Sequence, residues 1–449
     1  LAASTTVSLV HLGCARNLID SELILARLAE EGLLVSGDPQ QADVVVLNTC
    51  SFIGPAREES ERAIDGLVRR KQKRELRGVV VAGCLVQRYR HELEGRFPGV
   101  DVFAEISDYR ALARAVKQLG QKSGRASGVP RYLAAERPGA EREGSRMLAT
   151  PGSYAYLRVS HGCDHVCAFC AIPAIRGPHR SKRPEAIEQE ARELIEAGVK
   201  ELVLVAEDLT AWGRDVGLEL PALVERLAEL EGEHELRLMY AYPNRFPWEL
   251  TRLLREHPRV LPYLDIPIQH AATNVLRAMK RAGSGEQVRA TLERLRAEVP
   301  GIELRTTVLL GFPGETEADA QELVDFVREG EIARLGAFTW SAEEGTSAFE
   351  LPGRVDPQVA NERRDAVLRA RDAVLERRQR ALVGRELLVL VDESHATRAV
   401  GRTRADAPEV DLLAVIEDSR APVGARVRVR VTATDEQHNL ICAEVAAPR

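Results

Sequence analysis

Residues 161–170 read HGCDHVCAFC, with thiols at Cys163, Cys167 and Cys170, histidines at 161 and 165, and one aromatic, Phe169, before the last cysteine. A closed tetrahedral metal site needs four ligands, and this loop offers three thiols. It directly follows a β-like run, YAYLRVS (154–160). In a βα barrel such a loop lies at the C-terminal mouth, where barrel active sites are built. Three thiolates can hold three irons of a 4Fe-4S cube and leave the fourth iron open to a ligand. The rival reading is a Cys3His zinc site completed by His161 or His165. C-x3-C-x2-C in one tight loop favours the cluster, because structural zinc ligands usually come as two separated pairs.

Downstream, five further strand-like runs alternate with helical patterns: KELVLVA (200–206), ELRLMY (235–240), PYLDIPI (262–268), IELRTTVLL (302–310) and RLGAFTW (334–340). Stretches such as RPEAIEQEARELIEAG (183–198) and TEADAQELVDFVREG (316–330) supply the helices, and an Arg-rich amphipathic helix at 357–383 closes the unit. Six βα units fall short of the eight in a closed barrel, so an open partial barrel over 153–383 is expected. Residues 384–449 change period: ARVRVRVTA (425–433) alternates apolar and charged residues, as a half-buried strand does. With ELLVLVD, HATRAVGRT, EVDLLAVI and NLICAEV this makes about five short strands, a small β-barrel.

Upstream, TTVSLVHLG (5–13), ADVVVLNT (42–49) and GVVVAG (78–83) are β-branched runs of the kind buried on both faces in parallel sheets. LIDSELILARLAEEG between the first two has helix periodicity and stops at Gly32, a C-cap. Residues 1–118 therefore form an open α/β domain. A Gly-, Ser-, Pro-, Arg- and Glu-rich linker at 119–152, with one short strand around 131–134, leads to the barrel. The fold class is multidomain α/β. Cys14, Cys50 and Cys84 each fall within two residues of a strand end. Ligands of open parallel sheets bind at that rim, so the three thiols can converge on one centre. The alternative is three unrelated core cysteines.

Seven cysteines, an odd number and unevenly spaced, point to metal or redox chemistry and not to a disulfide framework. With no signal-peptide pattern at the N-terminus, this fits a reducing cytoplasm. No apolar run approaches the ~18–20 residues of a membrane span. A formal net charge of −6 argues against broad nucleic-acid binding. RRKQKR (69–74) reads as a solvated helix face, and Cys442, in the last strand, as core.

HGCDHVCAFC resembles the cluster loop of the radical S-adenosylmethionine superfamily. GCARNLIDSE (13–22), LNTCSFIGPAREES (47–60) and VAGCL (81–85) resemble, more narrowly, the amino-terminal domain of its methylthiotransferases. CAIPAIRGPHRSKRPE (170–185), YLDIPIQH (263–270), TTVLLGFPGETE (306–317) and FTWSAEEGTSA (338–348) continue the likeness, and the terminal barrel is similar to their TRAM module. The resemblance covers essentially the whole chain. It implies two 4Fe-4S clusters, one on Cys163, Cys167 and Cys170 as the catalytic cup and one on Cys14, Cys50 and Cys84. It also implies S-adenosylmethionine contacts from Phe169, Glu207 and Arg305, and from Gly311, Phe312 and Gly314 of the GFPGE turn. Asp265, Gln269 and His270 end the fourth barrel strand and either line the cavity or satisfy a turn. Glu207, Leu209, His161 and Asp164 stand where the family usually has Gln, Thr, Glu and Asn. These departures bear on local contacts, not on the cluster ligands.

The chemistry so implied is sulfur insertion at an unactivated C–H bond followed by methylation, which acid–base catalysis alone does not achieve. Reductive cleavage of the cofactor's sulfonium gives a 5′-deoxyadenosyl radical that abstracts hydrogen. The second cluster presents sulfur, and a second S-adenosylmethionine gives the methyl. NTCSFIGPAREES, AIPAIRGPHRS and GRTRADAPEVD (401–411) resemble the branch acting on the β-carbon of an aspartate in small-subunit ribosomal protein S-twelve, free or in the ribosome. A reductant such as flavodoxin or ferredoxin is implied, with no membrane and no direct nucleic-acid substrate. Nine Arg against eleven Asp and Glu over 385–449 agree, since an RNA-gripping module should be basic. The rivals are methylthiolation of tRNA adenosine and a non-catalytic iron–sulfur factor that binds ribosomes.

Overall fold

The computed structural model describes residues 5–107, 109–121, 128–135, 145–281 and 283–445. The first sheet contains β1 (Thr6–His11), β2 (Leu34–Ser36), β3 (Val44–Thr49), β4 (Gly78–Gly83), β5 (Val102–Ala104) and β6 (Tyr132–Leu133). All pairs are parallel and the order is β2-β1-β3-β4-β5-β6. Every residue of β3 and β4 is buried, which is why both read as unbroken apolar runs. The short strand expected near 131–134 forms as β6, and it pairs with β5 as the outer strand of this sheet. The remaining linker stretches, 122–127 and 136–144, lie outside the described residues. Helices α1 (Ala15–Glu30), α2 (Gly54–Gln72) and α3 (Cys84–Tyr89) follow β1, β3 and β4. α1 stops where Gly32 turns to φ +78°, a left-handed conformation that glycine adopts freely.

The six expected barrel strands are present. β7 (Tyr154–Arg158), β10 (Glu201–Val205), β11 (Glu235–Leu238), β12 (Val260–Asp265), β13 (Glu303–Leu310) and β14 (Arg334–Thr339) form one parallel sheet in chain order. Between the first two, β8 (Ser160–His161) and β9 (Arg180–Ser181) pair antiparallel. Helices cover the outer face through a core that includes Leu157, Leu204, Leu223, Leu264 and Leu323. The inner face is filled by neighbours. Tyr156, Val205 and Tyr263 share one apolar cluster with Leu18, Ile19 and Leu23 of α1 and with Ala407.

Ala407 belongs to the third unit, the closed barrel β15 (Glu386–Ser394), β16 (Arg398–Thr403), β17 (Ala414–Glu417), β18 (Arg426–Thr434) and β19 (Leu440–Glu444). Cys442 is fully buried in its core, as expected. The loop between β16 and β17 plugs the base of the open barrel. Tyr263 donates to Asp411 Oδ2 at 2.6 Å, Tyr156 to Glu409 Oε2 at 3.0 Å and Arg334 to Asp406 Oδ1 at 2.6 Å. Beside the plug, Arg402 is 2.6 Å from Asp392 Oδ2 and 3.1 Å from Glu201 Oε1, while Arg237 reaches Glu201 Oε1 at 2.7 Å. Burial works against the Glu201 charge, but the two guanidiniums outweigh it and hold the carboxyl at about 2.

Candidate active site

The β8–β9 pair closes the loop that carries HGCDHVCAFC. Gly162 has φ +70°, and a Cβ there would stand 2.1 Å from the Pro178 carbonyl oxygen, so only glycine fits this close crossing. Cys163 N donates to Gly177 O at 3.1 Å, Cys170 N to Cys167 O at 3.1 Å and Ala168 N to Met279 O at 2.8 Å. Asp164 Oδ1 accepts from His179 N at 2.8 Å, giving that departure a loop-closing role. The three half-buried thiols line a cavity of about 220 Å³ together with Phe169, His165, Glu207, Tyr240, Tyr242, Gln269, Arg281, Arg16 and Phe52.

His165 is not placed as a fourth metal ligand. Its Nε2 lies 2.7 Å from Asp208 Oδ2, and its ring stacks on Tyr242 with centroids 3.8 Å apart. Burial alone would raise Asp208, yet hydrogen bonds from His165 and Thr210 leave it below the usual carboxylate range. Arg281 is held by Pro267 O at 2.5 Å and by the Tyr242 ring at 4.1 Å, and points Nη1 at Cys167 Sγ, 3.7 Å away.

The second cup rises from the first sheet. Cys14 caps α1 after Gly13, Cys50 follows β3, and Cys84 opens α3 after Gly83. Gly83 has φ +95°, and a Cβ there would meet Asn48 Oδ1 at 2.2 Å and Thr49 O at 2.7 Å. Asn48 is fixed in turn by Nδ2 bonds to Asn17 O (2.9 Å) and Ser21 Oγ (2.8 Å). From the barrel side, Arg176 sets Nη2 3.4 Å from Cys84 Sγ and Nη1 2.7 Å from Asp20 Oδ2, while Arg158 holds Asp20 Oδ1 at 2.9 Å. Cys84 packs with Ala171, the residue after Cys170, and with Ile175 one turn further on, so the two cups adjoin.

Arg16 spans the junction. Its Nη1 donates to Ala206 O at 2.8 Å, its guanidinium sits 4.7 Å over the Tyr240 ring, and its charge acts on the nearby Cys14 thiol. Desolvation would raise Cys14, but Arg16 and Arg176 outweigh it and leave that thiol below its ordinary value. Burial pushes Cys50 and Cys163 up to about 12 and Cys170 to about 11, so ligation at those thiols must displace protons. Both cups suit a sulfur-ligated cluster, because each offers three sulfurs and a guanidinium beside a thiol to offset the cluster's negative charge. The cavity also holds an unmet acceptor: Glu207 Oε2 is buried without a hydrogen-bond partner.

The other expected residues divide. Phe169, Glu207 and Gln269 line the cavity; Arg305, Asp265, His270, Gly311, Phe312 and Gly314 do not. Arg305 lies below it, 3.1 Å from Asp265 Oδ1 and 3.4 Å from Asp411 Oδ1. A Cβ on Gly311 would meet Ala360 at 2.4 Å, so this glycine admits the long helix Pro357–Arg380. Phe312 is fully buried with Ala168 and Met279, behind the cysteine loop. His270 faces Glu315 at 3.6 Å, and Leu209 is core. Sequence reasoning missed Arg16, Phe52, Tyr240, Tyr242 and Arg281. All but Arg281 stand two to five residues past a strand end, the one signal available. Tyr240 and Gln269 adopt φ +67° and +73° to face the cavity, left-handed backbone that non-glycine residues seldom hold.

A partial barrel with a three-thiol loop at its mouth, facing a second three-thiol cup, defines a radical S-adenosylmethionine enzyme. The Radical SAM superfamily model matches residues 157–327, the uncharacterized protein family UPF0004 model 6–105, and the TRAM domain model 383–443. The chain is 41% identical over 437 residues to the ribosomal protein uS12 methylthiotransferase RimO of Trichlorobacter lovleyi, covering 96% of each. It is 42% identical over 412 residues to the RimO of Pelotomaculum thermopropionicum, covering 90% of this chain and 91% of that one. Among solved structures, the radical S-adenosylmethionine methyltransferase TsrM of Kitasatospora setae aligns with TM-score 0.53 at 17% identity, over 74% of this chain and 73% of that one. The cobalamin-dependent enzyme OxsB aligns with TM-score 0.54 at 15% identity, over 83% of this chain and 56% of that one; both likenesses concern fold. The chain belongs to the RimO family of radical S-adenosylmethionine methylthiotransferases. Its cofactors are two 4Fe-4S clusters and S-adenosylmethionine.

Proposed function

We propose that this enzyme adds a methylthio group to the β-carbon of an aspartate in ribosomal protein uS12. Cys163, Cys167 and Cys170 hold the cluster that binds S-adenosylmethionine, and Cys14, Cys50 and Cys84 hold the second. When bound, these groups supply one-electron chemistry that removes hydrogen from an unactivated carbon, then sulfur and a methyl group. The observation carrying the reading is the adjoining of the two cups through the packing of Cys84 on Ala171, the residue after Cys170, with a cavity open beside them. A carbon that loses hydrogen at one cup and gains sulfur at the other has to sit between them.

The chain's own residues do the rest. Glu207 Oε2, buried and unpartnered, offers an acceptor to the cofactor's ammonium group. Phe169, Tyr242 and Phe52 wall the cavity with rings and exclude water from it. The Asp208–His165–Tyr242 stack keeps the cysteine loop in one position. Arg305, Gly311, Phe312 and Gly314 act from outside the cavity wall, by bracing the strand ends and the loop. The site works in the cytoplasm with a flavodoxin or ferredoxin as reductant; among the described residues no helix is long and apolar enough to cross a membrane.

Incubating the reduced holoenzyme and S-adenosylmethionine with uS12 and, separately, with tRNA tests the substrate. A mass increase on an aspartate-containing peptide of uS12 is expected. Modification of tRNA alone would overturn the reading.

A further inference from the structure

The proposed reaction puts the substrate's reacting carbon between the two cups, and Arg16 occupies that same junction. α1 carries it two residues past Cys14, and its side chain enters the barrel cavity beside Cys170, Glu207 and Tyr240. A guanidinium has five N–H donors in a rigid fork. One is committed to the Ala206 carbonyl at 2.8 Å. Glu207 Oε1 stands 3.9 Å from Nε, too far for a hydrogen bond, so the nearest carboxylate leaves the fork open. The other cation lining the cavity, Arg281, is tied to Pro267 O, the Tyr242 ring and Cys167 Sγ.

An aspartate whose β-carbon reacts carries its carboxylate one bond from that carbon. A carboxylate so placed comes within reach of whichever cation lies between the cups. We propose that Arg16 binds the side-chain carboxylate of the substrate and thereby selects an acidic residue at the reacting position. The inference rests on the proposed function and names the residue that reads its substrate. A nucleobase has no anionic group one bond from its reacting carbon, so the same contact disfavours it.

The test is a two-by-two binding comparison, holoenzyme or its Arg16→Gln variant against uS12 with the target Asp or with Asn in its place, read as dissociation constants in the presence of S-adenosylmethionine. A charge-assisted hydrogen bond in a sheltered site corresponds to about a tenfold preference or more. The wild-type enzyme should bind the Asp form at least about tenfold more tightly, and Arg16→Gln should bring the ratio close to one. Arg16→Lys, which keeps the charge and loses the fork, should fall between. Equal binding of Asp and Asn forms by the wild-type enzyme overturns the proposal whether or not the variants fold. So does an undiminished preference in Arg16→Gln. Failure of the wild-type enzyme to modify uS12 at all would instead remove the substrate assignment, and the two failures are distinct.

Discussion

Replacing Arg402 with Leu would remove the guanidinium that joins the terminal barrel to the base of the radical S-adenosylmethionine barrel. Arg402 is 1% exposed and contacts both Asp392 and Glu201. Glu201, at about 2 against an ordinary 4.5, owes about 3 kcal/mol of neutral-pH stability to its two arginines. Arg402 supplies part of this. Its loss also strips Asp392 of a paired bond and leaves two buried carboxylates short of charge. Breaking a buried pair from one side typically costs about 3–5 kcal/mol, so we expect about 3 kcal/mol here, with Arg237 retained as partial cover.

The sign with pH follows from the direction of the shift. A carboxyl lowered by folding contributes stability that is complete above its unfolded value and is lost as pH falls through the folded one. Urea unfolding, followed by tryptophan fluorescence, should therefore show the widest gap between wild type and Arg402→Leu at pH 7. The gap should narrow as pH falls below 4.5 toward 2. A gap under about 1 kcal/mol at pH 7, or one that stays constant down to pH 3, would refute the assignment of Glu201 and Arg402 to one cooperative ion cluster.

Two further outcomes follow from the cups. Gly83→Ala places a methyl 2.2 Å from Asn48 Oδ1 at a left-handed backbone position; iron in the reconstituted protein should fall from about eight to about four per chain, and a full complement would contradict the role given to this turn. Cys167→Ala should reduce 5′-deoxyadenosine formation to background, whereas Cys50→Ala should reduce it far less while losing the methylthio product; equal loss in both would contradict the division of labour.

The strands of the three larger sheets were legible wherever a run was long enough to show its period. β3, β4 and β10 are buried throughout and read as continuous apolar stretches, and β18 alternates because one face meets solvent. β2 and β5, three residues each, gave too little sequence for a period to appear. The places of the six cysteines at or just past strand ends were legible in the sequence, because the strands before them read clearly. The cavity wall was not, because Arg16, Tyr240 and Arg281 come from three separate segments of sequence and only the fold brings them together. GFPGE was read for its glycines, but Gly311 makes room for a helix and Phe312 packs behind the cysteine loop. Arg305 was placed at the cofactor; Asp411, more than a hundred residues later, draws it to the base.

The plug formed by the β16–β17 loop has a bearing on the order of biosynthesis. Domains generally fold from the N-terminus as they leave the ribosome. Here Tyr156, Tyr263 and Arg334 find carboxylate partners on residues 406–411, made some seventy or more residues after the last of them. The middle barrel therefore waits, with its base open and its polar interior unmatched, until residues 406–411 have been made. Iron loading meets either an unfinished barrel or a completed protein, and the plug makes the second the stable recipient.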